Sequence, residues 1–250
     1  LHNLIDSKMN QNVVYVAFDI KENNLSDAIK GLKALGVLGF NVTTPYKKNI
    51  MKYLDSNARE TFLMGSVNTV KNMDGMFYGY NTDGEGFIRA FKRETNESFK
   101  NKKVVIIGGG SVARSIAVKV AMDFPQKISI VNRTRSKAVE IANLVNENVN
   151  GVMQVYTLGD RTFISDIQNA DIIINATSFG MNQEDNVFPI KLNDIFNANQ
   201  IVIDTVYLPI KTHFLSVAEG KGSKIITGLS MLFYQGVMAY ELWTGIKIPN

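Results

Sequence analysis

Hydrophobic and polar positions along the chain alternate between two periods. Leu1 to Ile5 reads as a short helix, and Val13 to Ile20, rich in β-branched and aromatic residues, as a strand. Leu25, Ala28, Ile29, Leu32 and Leu35 fall at helical spacing, Gly36 ends that run, and Val37 to Val42 reads as another strand. Two strands separated by a helix predict a parallel pair. Pro45 suits the first turn of a helix, which would carry Lys47. A short helix is expected over Ala58 to Met64. A turn at Asn72 to Gly75 then returns Met76 to Tyr80 as a hairpin strand. Thr82 or Asp83 would cap a helix running through Phe91.

The second half repeats strand and helix more regularly. Arg93 to Lys103 is polar and has the composition of an inter-domain connection. Apolar strands are expected at Val104 to Ile107, Ile128 to Asn132, Val152 to Tyr156, Ala170 to Ser178, Ile201 to Tyr207 and Lys224 to Thr227. Helical patterns follow the first two, after the glycines at 108–110 and over Lys137 to Val145. This alternation predicts an α/β protein with a doubly wound parallel sheet. The tail, Leu229 to Thr244, is helical and too apolar to stand in water. It is expected to return to the N-terminal domain. Its mid-helix Gln235 would then lie near the gap between domains, or simply face solvent.

The strand at 104–107 leads into Gly108-Gly109-Gly110-Ser111-Val112-Ala113, which opens a helix, and the next strand ends at Asn132. This is the pattern of a βαβ nucleotide-binding unit. Gly108 permits the turn, Gly110 lets backbone approach a pyrophosphate, and Ala113 allows close helix–strand packing. The helix start favours an anion. A site for NAD usually places Asp or Glu at the end of the second strand, on the ribose 2′-hydroxyl. Here stand Asn132, Arg133 and Thr134, with Arg135 and Lys137 behind them. A guanidinium suits a 2′-phosphate, so NADP is the expected cofactor.

Composition narrows the chemistry. The 250 residues contain no cysteine and two histidines, His2 and His213. Disulfides and thiolate catalysis are excluded, a zinc site or Ser–His triad is disfavoured, and a reducing cytoplasm fits. No metal is expected. The formal charge of +4 is spread among acids, so no nucleic-acid stripe is read. No run spans a bilayer, and none resembles a leader. A monomer or homodimer acting on a small molecule is expected. Polar residues gather at predicted strand ends, where open α/β sheets bind ligands. Taken alone, Lys47 reads as one more surface lysine, and Asp83 as a helix cap.

Together the segments resemble shikimate dehydrogenases over nearly the whole chain. The resemblance rests on Asn41-Val42-Thr43-Thr44-Pro45-Tyr46-Lys47, Gly65-Ser66-Val67-Asn68-Thr69, Asn81-Thr82-Asp83-Gly84, Gly108 to Arg114, Asn132-Arg133-Thr134, Asn175 to Met181, Asp204 to Pro209 and Gly228 to Gln235. It implies NADP-dependent interconversion of 3-dehydroshikimate and shikimate, in aromatic amino-acid biosynthesis. It also implies an N-terminal open α/β substrate domain (residues 1–92 and 229–250) and a Rossmann-type NADP domain (93–228). By position, Lys47 resembles the catalytic lysine and Asp83 its paired carboxylate. Thr43, Asn68, Tyr207, Gln235 and Asn41 resemble substrate contacts. Gly108, Gly109, Gly110, Ser111, Val112, Asn132, Arg133, Thr134, Lys137, Thr177, Thr205, Gly228 and Met231 resemble cofactor contacts.

One feature departs from the family pattern. A strand and a Ser-x-Ser-Pro segment, whose serines bind the substrate carboxylate, usually precede the Leu-His-Asn run, and this chain starts at Leu1-His2-Asn3. Either the sequence is truncated, the expected explanation since a missing first strand would bare a sheet edge, or the protein lacks the usual carboxylate anchor. The rival readings are a quinate/shikimate dehydrogenase with relaxed cofactor use, a methyltransferase sharing the glycine turn, and a non-catalytic nucleotide sensor. The sensor would need no Lys47–Asp83 pairing.

Overall fold

A computed structural model describes residues 1–158, 160–181 and 191–249. Its first elements are α1 (His2–Lys8), α2 (Leu25–Ala34), β1 (Gly39–Asn41), β2 (Ser56–Asn57), α3 (Arg59–Met64), β3 (Thr69–Met73), β4 (Met76–Tyr80) and α4 (Asp83–Thr95). There follow β5 (Lys103–Ile107), α5 (Ser111–Met122), β6 (Lys127–Val131), α6 (Arg135–Asn148), β7 (Met153–Tyr156), α7 (Arg161–Gln168) and β8 (Ile172–Asn175). The last are β9 (Ile201–Asp204), α8 (His213–Gly220), β10 (Lys224–Ile226) and α9 (Gly228–Thr244). The chain divides into one unit of Leu1–Gly86 with Phe233–Asn250 and a second of Phe87–Leu232. The expected boundary residues 92 and 229 lie inside α4 and α9.

In the first unit, a sheet of order β1-β3-β4-β2 is antiparallel except for the β2–β4 pair. The β3–β4 hairpin turns at Asp74 and Gly75, both at positive φ, as a tight two-residue connection demands. Gly75 N–H donates to Asn72 Oδ1 at 2.8 Å. Leu25 and Ile29 of α2 pack with Ile50, Val67, Val70 and Phe77 to form the core of this unit. The tail packs as its apolar sequence requires: Val237 and Tyr240 bury against Ile5, and Trp243 Nε1 donates to Val70 O at 2.8 Å. Gly39 makes that approach possible, because a Cβ there would lie 2.3 Å from the Trp243 ring.

Three expectations for this unit fail. Val13 to Ile20 is not a strand, and β1 pairs antiparallel with β3 rather than parallel with that stretch. β-propensity needs a neighbouring strand to express it, and among the described residues this stretch has no ladder partner. Side chains tether it instead. Tyr15 exchanges hydrogen bonds with Asn3, Val13 N–H donates to Asp6, and Tyr46 Oη donates to Ile20 O. A groove of about 670 Å³ runs along it, and Val14, Val16 and Phe18 are exposed. Nor does Lys47 sit in a helical turn. It lies in a turn ahead of a short 3₁₀ segment at Asn49–Tyr53. Its carbonyl accepts Val67 N–H at 2.8 Å and so does not serve a helix.

The second unit holds a six-stranded sheet of order β10-β9-β8-β5-β6-β7, parallel throughout. This is the doubly wound order, with its reversal between β5 and β8, the place where such sheets bind ligands. The strands read as continuous apolar runs because both faces are covered; Val104 to Ile107 and Ile172 to Ile174 are all buried. Two helices, α7 and α8, escaped the sequence reading. Among the described residues, no helix is long and apolar enough to cross a membrane.

Candidate functional site

Two short loops of the first unit bring a lysine and an aspartate together. Tyr46 N–H donates to Thr43 O at 2.9 Å, which curls the chain after β1 and aims Lys47 back. The Lys47 carbonyl holds Val67, and Asn68 in turn bonds Val42 and Tyr80 through its backbone. Asp83 opens α4. Lys47 Nζ donates to Asp83 Oδ2 at 2.7 Å, and the two side chains are only 17% and 9% exposed. Asn68 Nδ2 donates to the other oxygen, Oδ1, at 2.7 Å. The Asp83 backbone N–H donates to Asn81 Oδ1 at 3.1 Å. The pair is therefore oriented from both sides and largely withdrawn from water.

Other residues of the expected substrate set lie around it. Asn41, on β1, donates to Asn68 O and Thr69 Oγ1 and accepts from Tyr15 Oη. Thr43 is exposed. Gln235, on α9, runs so close to α4 that a Cβ on Gly86 would come 2.7 Å from its backbone nitrogen. That glycine lies in the same helical turn as Asp83. Tyr207 belongs to the second unit, where it is exposed in the loop after β9. Thr69, Thr82 and Tyr15 went unread as site residues. Thr69 and Thr82 lie within motifs that carry the family resemblance but took no role there, and Tyr15 sits inside the stretch expected as a strand.

The second unit forms a cradle at the carboxyl ends of its strands. Gly108 has φ +131°, and a Cβ there would lie 2.7 Å from Ala176 O, at the reversal of strand order. Gly110 has open space where a side chain would stand and precedes α5, whose first N–H groups lack intrahelical partners. A Cβ on Gly109 would meet Asn132 Nδ2 at 2.8 Å and Lys137 Cβ at 3.0 Å, so the glycine turn packs directly against the basic stretch. Asn132 Nδ2 donates to Thr134 O at 2.9 Å, and Arg133, Thr134 and Lys137 are exposed. Gly228 fits where a Cβ would lie 2.5 Å from the Thr205 and Val206 carbonyls. Met231 and Thr205 line a small cavity beside Asp204. Open backbone, a helix start and exposed cations suit a dinucleotide carrying an extra phosphate.

Behind this cradle lies a buried polar cluster. Thr177 Oγ1 donates to Asn175 Oδ1 at 2.6 Å, and Asn175 Nδ2 donates to Asp204 Oδ1 at 3.0 Å. Asp204 also accepts Val206 N–H at 2.9 Å and the Thr212 hydroxyl at 2.6 Å. It thereby ties the loops bearing Thr177 and Thr205 to one carboxyl group. Burial pushes that carboxyl from the ordinary 3.8 up to about 6, against the pull of these three donors.

Three family profiles cover most of the chain. One described as the shikimate dehydrogenase substrate binding domain matches residues 1–70. One for shikimate/quinate 5-dehydrogenase matches 90–185, and one for the shikimate 5′-dehydrogenase C-terminal domain matches 228–249. A shikimate dehydrogenase (NADP⁺) of Alkaliphilus oremlandii is 38% identical over 250 residues, covering 100% of this chain and 87% of that protein. The chain belongs to the shikimate dehydrogenase family. Among solved structures of this family, the Listeria monocytogenes enzyme in complex with shikimate and NAD matches with TM-score 0.93 and 34% identity. The match covers 99% of this chain and 87% of that one. A shikimate dehydrogenase in complex with NADP⁺ matches with TM-score 0.91 and 41% identity, over 100% of this chain and 85% of that one.

The Asp204 cluster makes a measurable demand on stability. A raised carboxyl pKa means that the fold favours the protonated form. That contribution is complete below about pH 4 and lost as pH rises through about 6. In urea unfolding, the advantage of wild type over Asp204→Asn should shrink by up to about 3 kcal/mol between about pH 4 and pH 7. A pH-independent difference would mean that the carboxyl titrates normally.

Proposed function

We propose that the chain catalyses the reversible NADP-dependent reduction of 3-dehydroshikimate to shikimate, with Lys47 and Asp83 handling the proton. The observation that carries the reading is the family match along the whole chain. The Lys47–Asp83 contact supports the assignment of roles. When bound, the cofactor supplies the hydride that reduces the ketone carbon. The protein must then supply a proton to the oxygen that becomes the alcohol.

Lys47 as an ammonium donates that proton, and as an amine takes it back in the reverse direction. Asp83 accepts from Nζ and so fixes where the lysine nitrogen stands. The short, largely buried contact leaves the lysine few alternative positions, which is the condition for efficient transfer. Thr43, exposed near Lys47, and Gln235, beside the first turn of α4, supply polar groups for the hydroxyls of a polyol ring. Substrates lacking those hydroxyls would leave donors unpaired.

The open backbone at Gly110 and the start of α5 would hold a pyrophosphate, and Arg133 with Asn132 the ribose 2′-phosphate. No carboxylate stands at 132–134 to prefer a free 2′-hydroxyl. A cysteine-free chain suits the reducing cytoplasm, and the proposal sets the reaction there. Quinate is the second substrate to try, because one matched profile is described for both activities.

A steady-state assay of the full-length protein with shikimate and quinate, each with NADP and NAD, tests the reading. The expected result is NADPH formation driven by shikimate; its absence would leave a nucleotide-binding protein without this chemistry. In that assay Lys47→Ala should lower kcat at least about 100-fold with NADP affinity little changed. Near-normal turnover would remove Lys47 from the mechanism. Arg133→Ala should weaken NADPH more than NADH, and equal losses would contradict a phosphate contact.

A further inference from the structure

The Asn68 side chain is buried, and each of its polar directions is taken. Its Oδ1 accepts the backbone N–H of Thr82 at 2.8 Å. A backbone N–H can only donate, so the amide orientation follows: Nδ2 must face Asp83. Nδ2 then spends one proton on Asp83 Oδ1 at 2.7 Å and the other on Thr82 Oγ1 at 3.1 Å. Oδ1 also accepts the Thr69 hydroxyl at 3.0 Å, with the Thr82 hydroxyl farther off at 3.3 Å. Asn68 thus has no amide proton left for a ligand unless Thr82 gives one up.

Thr69 is fully buried at the first position of β3. Its Oγ1 accepts Nδ2 of Asn41 at 3.1 Å, so its own single proton is turned toward Asn68 and Thr82. Asn41 Oδ1 accepts from Tyr15 Oη at 3.1 Å. A directed line of donors therefore runs from Tyr15 through Asn41, Thr69 and Asn68 to Asp83, and Lys47 closes it from the other side.

We infer that Thr69 is a positioning residue for the proposed reaction. Its hydroxyl holds the Asn68 amide, Asn68 aims the Asp83 carboxylate, and Asp83 places the Lys47 nitrogen. This rests on the acid–base reading of Lys47 and Asp83. Without the Thr69 hydroxyl, the Asn68 amide keeps Thr82 but gains freedom to tilt. Asp83 then loses its fixed acceptor direction, and small misplacements at a reacting centre are costly to rate. Thr69 itself has no route to a ligand, so the loss should fall on turnover rather than on substrate binding.

Thr69→Val removes the hydroxyl at nearly constant shape, and Thr69→Ser retains it. For Thr69→Val, kcat on shikimate should fall about tenfold with KM changed less than about threefold, the size of one lost oriented hydrogen bond. Thr69→Ser should recover most of the loss. Tyr15→Phe, at the far end of the line, should lower kcat in the same direction by about twofold, as couplings weaken with distance. The inference is overturned if Thr69→Val turns over like wild type, if serine is as poor as valine, or if KM rises while kcat holds. Should Thr69→Val not fold, Tyr15→Phe decides alone, and an unchanged kcat sinks the relay. A wild-type protein inactive on shikimate would overturn the underlying function instead, a result distinct from any of these.

Discussion

A carboxylate withdrawn from water must be given back the hydrogen bonds it loses, and Asp83 is the group on which the first unit settles that account. One oxygen takes the Lys47 ammonium and the other the Asn68 amide. Burying such a pair carries a desolvation cost that its own attraction barely offsets. The arrangement holds because the remaining polar groups nearby are also satisfied. Asn81 accepts the Asp83 backbone N–H, and Thr69 and Thr82 saturate Asn68. A half-satisfied network would cost more than an apolar core. The local fold therefore follows from one constraint: β1, the 65–68 loop and the start of α4 must meet at a single carboxylate.

The second unit meets a different constraint, the close approach of its loop backbone to neighbouring backbone and side chains. Gly108, Gly109 and Gly228 each stand where a Cβ would collide with a neighbouring carbonyl or amide. Gly110 differs, since nothing protein-derived fills the space before it. The first three glycines assemble the cradle, and the fourth leaves it open. The buried Asn175–Asp204 contact ties the ends of two adjacent parallel strands from behind. Rigid support beneath exposed binding loops is the usual division of labour in such sheets.

The second unit was the more legible in sequence. Its strands are buried on both faces, so each appears as an apolar run bounded by glycine or polar residues, and β5 through β10 lie in the stretches the pattern marked, with β8 and β9 shorter than expected at Ile172–Asn175 and Ile201–Asp204. The helices α7 and α8, eight residues each, were missed. In the first unit the pattern misled. Val13 to Ile20 has every local mark of a strand, but sheet structure is a property of pairs of segments. Lys47 and Asp83 were legible only through the order and spacing of several motifs, because a lone lysine or a lone helix-capping aspartate carries no signal. Thr69 stood in the Gly65–Thr69 motif with no role, since nothing local distinguishes a hydroxyl that orients an amide from one that merely fills space.

Whether Lys47 and Asp83 work as one unit is decided by a double-mutant cycle on turnover. Lys47→Ala, Asp83→Ala and the double variant would be compared with wild type at saturating substrate. If the pair acts together, the double variant should lose no more kcat than the worse single variant. If the two losses multiply, lysine and aspartate act independently, and the short contact between them is only structural.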